Sequence, residues 1–177
     1  VYLFYFATTH LRAIEWSDPV HLAASEAAKR PHSIDAQYDL ARTLLAASGN
    51  DVGNPLADQA LNVLLAHRDA PGAGLLFNHA IYLIVARRGQ HIDDQLWQSM
   101  LAAVRQQTPR TADVSALRAI YDCMRAGSCP QQYAKLRQLI EAALAHRNAS
   151  ANVYLLHAVV VFAEFGELAA AIQCLDE

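Results

Sequence analysis

The sequence predicts an all-α fold, a right-handed α-solenoid of about five antiparallel helical hairpins with a period near 39 residues. Three observations carry that expectation. Alanine is the commonest residue, Gly (7) and Pro (6) are sparse, and no alternating run of Val, Ile and Thr appears, a composition that favours helix over sheet. Gly49, Gly89, Gly127 and Gly166 each close an apolar segment, and Pro31, Pro71 and Pro109 each precede one. Ala41, Ala80, Ala119 and Ala158 are 39 residues apart every time, in phase with those glycines.

Taken in order, the N-terminal hairpin over 1–31 comprises an apolar helix near 2–16, a Ser17-Asp18-Pro19 start and a second helix near 18–30. The first full repeat, 32–71, opens with Ser33 as a helix cap. It carries Tyr38, Ala41, Leu44 and Leu45 at helical spacing, and restarts at Asn54-Pro55 for a second helix near 55–68. The repeat over 72–109 has Phe77, Ala80, Leu83 and Ile84, then a second helix near 93–107. In 110–148, Thr111 is positioned to cap a helix bearing Ala116, Ala119, Ile120 and Cys123, followed by a helix near 131–146. The last hairpin, 149–177, starts at Ser150 with Leu155, Ala158, Val161 and Phe162, turns at Gly166, and reads as truncated. The whole chain is thereby one helical-repeat domain, because a single hairpin cannot bury its apolar face alone.

Charge and composition bound the function. With 54% hydrophobic and 18% charged residues and a net charge of -3, the chain can bury a core. Its pI near 6.2 argues against nucleic acid as a partner. The initial Val and the seven-residue apolar run Val1 to Ala7 read as an excised fragment, cut through the tail of a membrane helix or starting with a helix packed on the second.

The stretch Ala36-x-Tyr38-Asp39-Leu40-Ala41-x-x-Leu44, echoed by Phe77-Asn78-His79-Ala80, resembles the first helix of a tetratricopeptide repeat. Gly166-Glu167-Leu168-x-x-Ala171-Ile172 is similar to that family's turn and second helix, although the period of 39 exceeds the usual 34. Armadillo or HEAT arrays are the alternative. The resemblance implies a scaffold that binds a peptide or protein segment along first helices on a concave face. Thr9-x-x-Arg12-x-x-x-Trp16-x-Asp18-Pro19, followed by Ala27-x-x-Arg30-Pro31-x-Ser33, resembles the junction in bacterial multispan membrane proteins of the protein O-mannosyltransferase-like type. There a last membrane helix leads into a tetratricopeptide-like domain outside the cytoplasm. That resemblance implies the extracytoplasmic tail of a glycosyltransferase whose active site lies elsewhere.

Few residues point to chemistry. The eight histidines form neither HExxH nor a compact Cys/His cluster, so no metal is expected. No nucleophile elbow, phosphate loop or dinucleotide fingerprint occurs, so neither catalysis nor a cofactor is expected. Cys123 and Cys129 flank the helix end at Gly127, where a Schellman turn brings the two within reach of a disulfide; two reduced thiols are the alternative. A bridge implies an oxidising, extracytoplasmic compartment, which the membrane-protein resemblance implies is the periplasmic side of a bacterial membrane, and reduced thiols leave a cytoplasmic location open. The expected binding groove is lined by Asp39, Arg42, Asn78, His79, Arg118, Asp122 and His157, the polar positions beside the recurring alanines.

Overall fold

A computed structural model describes residues 2–176, the side chains at 3, 12, 14, 15 and 174–176 excepted. The described residues form ten helices and no strand, and the chain divides into two compact units, residues 1–70 and 71–177. The division falls beside Pro71, where the punctuation of the sequence ends the first repeat.

The first unit holds α1 (Tyr2–Ser17), α2 (Pro19–Lys29), α3 (Ile34–Ala47) and α4 (Pro55–His67), each in contact with the next. Local chemistry sets the starts. The Asp18 carboxylate accepts the amides of Val20 (2.8 Å) and His21 (3.3 Å), Asn54 Oδ1 accepts that of Leu56 (2.9 Å), and Ser33 Oγ accepts that of Ala36 (3.4 Å). The core is built from small side chains, Ala27, Ala36, Ala41, Ala57 and Ala60, with Leu44 and Leu64, so helix axes can approach closely. Buried Gln37 donates through Nε2 to the carbonyls of Ala27 (3.2 Å) and Pro31 (3.4 Å), tying α3 to the end of α2. Although α1 contacts α2, Tyr2, Phe4, Tyr5, Phe6, Leu11 and Trp16 are 63–91% exposed, so that contact leaves most of its apolar surface uncovered.

The second unit holds α5 (Gly74–Arg87), α6 (Asp94–Gln106), α7 (Thr111–Arg125), α8 (Tyr133–Leu144), α9 (Ala151–Phe165) and α10 (Leu168–Asp176). Here contacts skip as well as follow the chain: α5 touches α6 and α7, α7 touches α8 and α9, and α6 touches α8. Helix α5 is buried on nearly every side, with Phe77, Tyr82 and Ile84 fully enclosed and Tyr82 edge-on to Trp97 of α6 at 5.1 Å between ring centres. The Tyr82 hydroxyl and Asn78 Oδ1 are buried with no hydrogen-bond partner among the described residues. Burial accordingly pushes the phenol of Tyr82 up to about 12.

Three features depart from the sequence reading. Helix α7 is capped by Arg110 and not by Thr111, because the Asp113 carboxylate reaches back to accept the Arg110 amide at 2.8 Å and makes Thr111 the first helical residue. Ala41 and Ala158 are buried, but Ala80 and Ala119 are only half-buried, since the stripes of α5 and α7 run through Phe77, Ile81 and Ile84, and through Ala116, Leu117 and Ile120. Leu155 and Phe162 of α9 are 48% and 56% exposed, although Phe77, Ile84, Ala116 and Cys123 at the corresponding phase of α5 and α7 are buried. Helix α5 is packed against α7, and α7 against α9.

Candidate functional site

The seven expected groove residues fall into two groups. Asp39 and Arg42 are exposed on α3 and paired at 3.4 Å; Arg118 and Asp122 are exposed on α7 and paired at 3.8 Å. These are single-turn ion pairs on solvated faces, worth a few tenths of a kcal/mol each, with their charges already partnered. Asn78, His79 and His157 are buried instead, at 5%, 8% and 8% exposure. Their side chains therefore do not line a solvent-filled groove. Asn78 Nδ2 donates to the Gly74 carbonyl (3.0 Å), and His79 Nδ1 donates to that of Leu76 at 2.6 Å. Burial holds the His79 imidazole down to about 4, against a partial pull upward from that bond and from Asp113. Burial also lowers His157, whose Nε2 lies 4.0 Å from Glu141. Both histidines are neutral packing elements at neutral pH. Residue type gave their polarity, but only the enclosure of α5 and α9 decides that they point inward.

The sulfurs of Cys123 and Cys129 are bonded, with Cα atoms 5.4 Å apart. The turn that joins them is built by Gly127 at φ +69°, which donates to the Met124 carbonyl (3.1 Å) while Ser128 donates to that of Cys123 (3.1 Å). The same pair of bonds closes α3 at Gly49 and Asn50 and α5 at Gly89 and Gln90, so the bridge is an addition to a turn the fold already makes. Both cysteines are buried. Replacing both by alanine is expected to lower stability by about 2 kcal/mol, the entropy of closing so short a loop. Urea midpoints of the oxidised protein, the protein in reductant and the double variant check this: coincident midpoints for all three would leave the bridge without a stabilising role. Cys174, read from sequence as a small core residue, has its side chain outside those described.

A cleft that the sequence did not suggest runs between α6 and α8. Lys135 Nζ meets Asp94 Oδ1 at 2.5 Å and Trp97 Nε1 donates to Gln132 Oε1 at 2.8 Å, joining the two N-terminal ends; His146 Nε2 donates to the Val104 carbonyl at 2.6 Å and joins the C-terminal ends. The two helices are therefore parallel. Between them lie two hollows of ≈ 480 and ≈ 130 Å³ that share Leu101 and Gln138. Leu101, Ala142 and Ala145 supply apolar surface to the larger hollow, and Arg105, Gln138, Glu141 and His146 supply its polar groups. Lys135 also lies 5.8 Å above the Trp97 ring, and its hydrogen bond keeps the Asp94 carboxyl below its ordinary range. Across the cleft Asp94 meets Lys135, 41 apart in sequence, and Val104 meets His146, 42 apart. Those offsets are the signal that could have found the cleft. The recurring alanines, 39 apart, do not fall at that spacing.

Among the described residues no group of three His, Cys, Asp or Glu side chains is placed to hold a metal ion. Comparison with protein-family models, with curated proteins and with solved structures finds no match to this chain.

Proposed function

We propose that this chain is an interaction module, a tetratricopeptide-like solenoid of antiparallel hairpins that binds a peptide or protein segment and performs no catalysis of its own. The observation that carries the reading is the α6–α8 cleft. Two parallel helices one repeat apart present an open trough of mixed polarity, the kind of surface on which an extended chain can satisfy its backbone and bury a few side chains. Asp39, Arg42, Arg118 and Asp122, already paired on their own helices, are the secondary candidates for contact. The Cys123–Cys129 bridge favours an extracytoplasmic setting.

The test is a pull-down from the native envelope with the wild type, Leu101→Arg in the cleft, and the Arg42→Ala, Arg118→Ala pair outside it. Loss of partners with the first variant alone is expected. Equal recovery by a folded Leu101→Arg protein removes the cleft as the binding surface.

A second reading, the tail of a membrane-embedded glycosyltransferase, draws on α1. Tyr2, Phe4, Tyr5 and Phe6 are exposed and point around more than half of the helix circumference, which a flat protein face cannot cover and a lipid interface can. No helix among the described residues is long and apolar enough to cross a membrane. Sedimentation with phosphatidylcholine–phosphatidylglycerol vesicles that persists in a Phe4→Ser, Phe6→Ser variant would count against lipid contact by α1.

A further inference from the structure

We propose that the Cys123–Cys129 bridge does for α8 what a side-chain cap does for α4 and α6. It fixes where the helix starts, so that reduction by a dithiol releases the 129–132 segment and, with it, the Trp97 end of the α6–α8 cleft. The device belongs to the fold and is independent of what the cleft binds. Three observations carry it.

The first comes from the turns closed by Gly49, Gly89 and Gly127. All three make the same pair of backbone bonds, and the first two have no cysteine beside them. What differs is the helix that follows. Asn54 Oδ1 accepts the Leu56 amide at 2.9 Å to start α4, and Asp93 Oδ1 accepts the Gln95 amide at 3.0 Å to start α6. Gln132 holds the corresponding place before α8, but its side chain caps no amide there, and its ψ of 49° departs from the 142° and 138° of Asn54 and Asp93. The bridged turn is thus the one that leads into a helix without a side-chain cap.

The second is where the Gln132 side chain goes instead. Its Oε1 accepts the Trp97 Nε1 hydrogen at 2.8 Å, so the residue placed to cap α8 holds α6. A shift in the first turn of α8 therefore reaches Trp97 directly. The third is anchorage. Residues 125–128, 130 and 131 are exposed and Cys129 is buried, so the bridged residue is the inward anchor of the segment that leads from α7 to Gln132. Tyr133 meets Tyr121 of α7 edge-on at 6.3 Å between ring centres, a contact that survives reduction and keeps the release local. In the reduction itself the dithiol gives two electrons and two protons: the Sγ–Sγ bond breaks, both sulfurs become thiols, and the reductant closes to its own disulfide.

Hydrogen exchange of the full chain, followed by NMR before and after dithiothreitol, tests this at matched amides. Lys135 donates to the Gln132 carbonyl at 3.0 Å, as Ala57 does to that of Asn54 at 2.9 Å and Leu96 to that of Asp93 at 3.0 Å. The Lys135 amide and the Trp97 indole are expected to exchange at least tenfold faster on reduction, and the Ala57 and Leu96 amides to change less than threefold. The double variant Cys123→Ala, Cys129→Ala should show the fast rates with or without dithiothreitol. Gln132→Asn, which offers α8 a cap like that of Asn54, should shrink the effect of reduction at Lys135 at least threefold. Circular dichroism checks that each variant is folded. Unchanged rates at Lys135 and Trp97 on reduction, one common acceleration of the amides of α5 to α9, or an effect undiminished in Gln132→Asn each overturn the proposal.

Discussion

Phe77→Ala is expected to lower the stability of the second unit by about 3–5 kcal/mol, the largest effect of any single truncation in the chain. Phe77 is fully enclosed in α5, a helix that packs against both α6 and α7 and buries Leu75, Ile81, Tyr82 and Ile84 alongside it. Removing the ring forfeits its transfer free energy and leaves a cavity that three helices would have to shift together to fill. Leu155→Ala, at the corresponding phase of α9 but 48% exposed, is expected to cost under 1 kcal/mol. Chemical denaturation of the two variants measures the contrast. Similar losses at both positions would mean that α5 is not the packing centre of its unit.

Acid is expected to remove about 3 kcal/mol through His79 alone. Its neutral imidazole is enclosed, with the folded state holding it down to about 4 from an ordinary value of 6.5. Because the unfolded chain binds the proton more readily, stability is complete above about pH 6.5 and declines as the pH falls from there to about 4. His157, lowered by its own burial, acts in the same direction. Glu26 and Asp94, held low by Arg30 and Lys135, keep their contribution until the pH falls into the carboxylate range and are too exposed to add much. Urea midpoints between pH 7.5 and 4.5 should fall steadily in the wild type and more gently in His79→Gln. A flat wild-type profile across that window would show that the imidazole is protonated within the fold.

The parts of the structure legible in advance are those decided within one turn of chain. Asp18, Ser33 and Asn54 cap helices because their side chains reach amides two or three residues on, and Gly49, Gly89 and Gly127 end helices because the left-handed conformation there suits a residue without a β-carbon. Thr111 failed for a local reason too, a competing acceptor at Asp113. What the sequence hid depends on neighbours distant along it. Leu155 and Phe162 follow the same periodicity as buried Phe77 and Ile84, and a periodicity cannot say whether another helix arrives to cover it. His79 looked like a groove residue because it is polar, whereas α5 has no solvated face in that direction. The α6–α8 cleft escaped notice because its residues meet at offsets of 41 and 42 and not 39.

The uncovered phase of α9 also shapes how the second unit comes apart. A helix with few enclosed side chains opens at lower free energy than one buried on nearly every side. Helices α9 and α10, carrying Leu155, Phe162, Leu168 and Ile172 half in water, are the less enclosed part of the unit, and α5 is the most enclosed. Their backbone amides should therefore exchange through local fraying while those around Phe77 wait for the whole unit to unfold. The Tyr121 hydroxyl, which donates to Glu164 of α9 at 3.1 Å, ties α9 to α7.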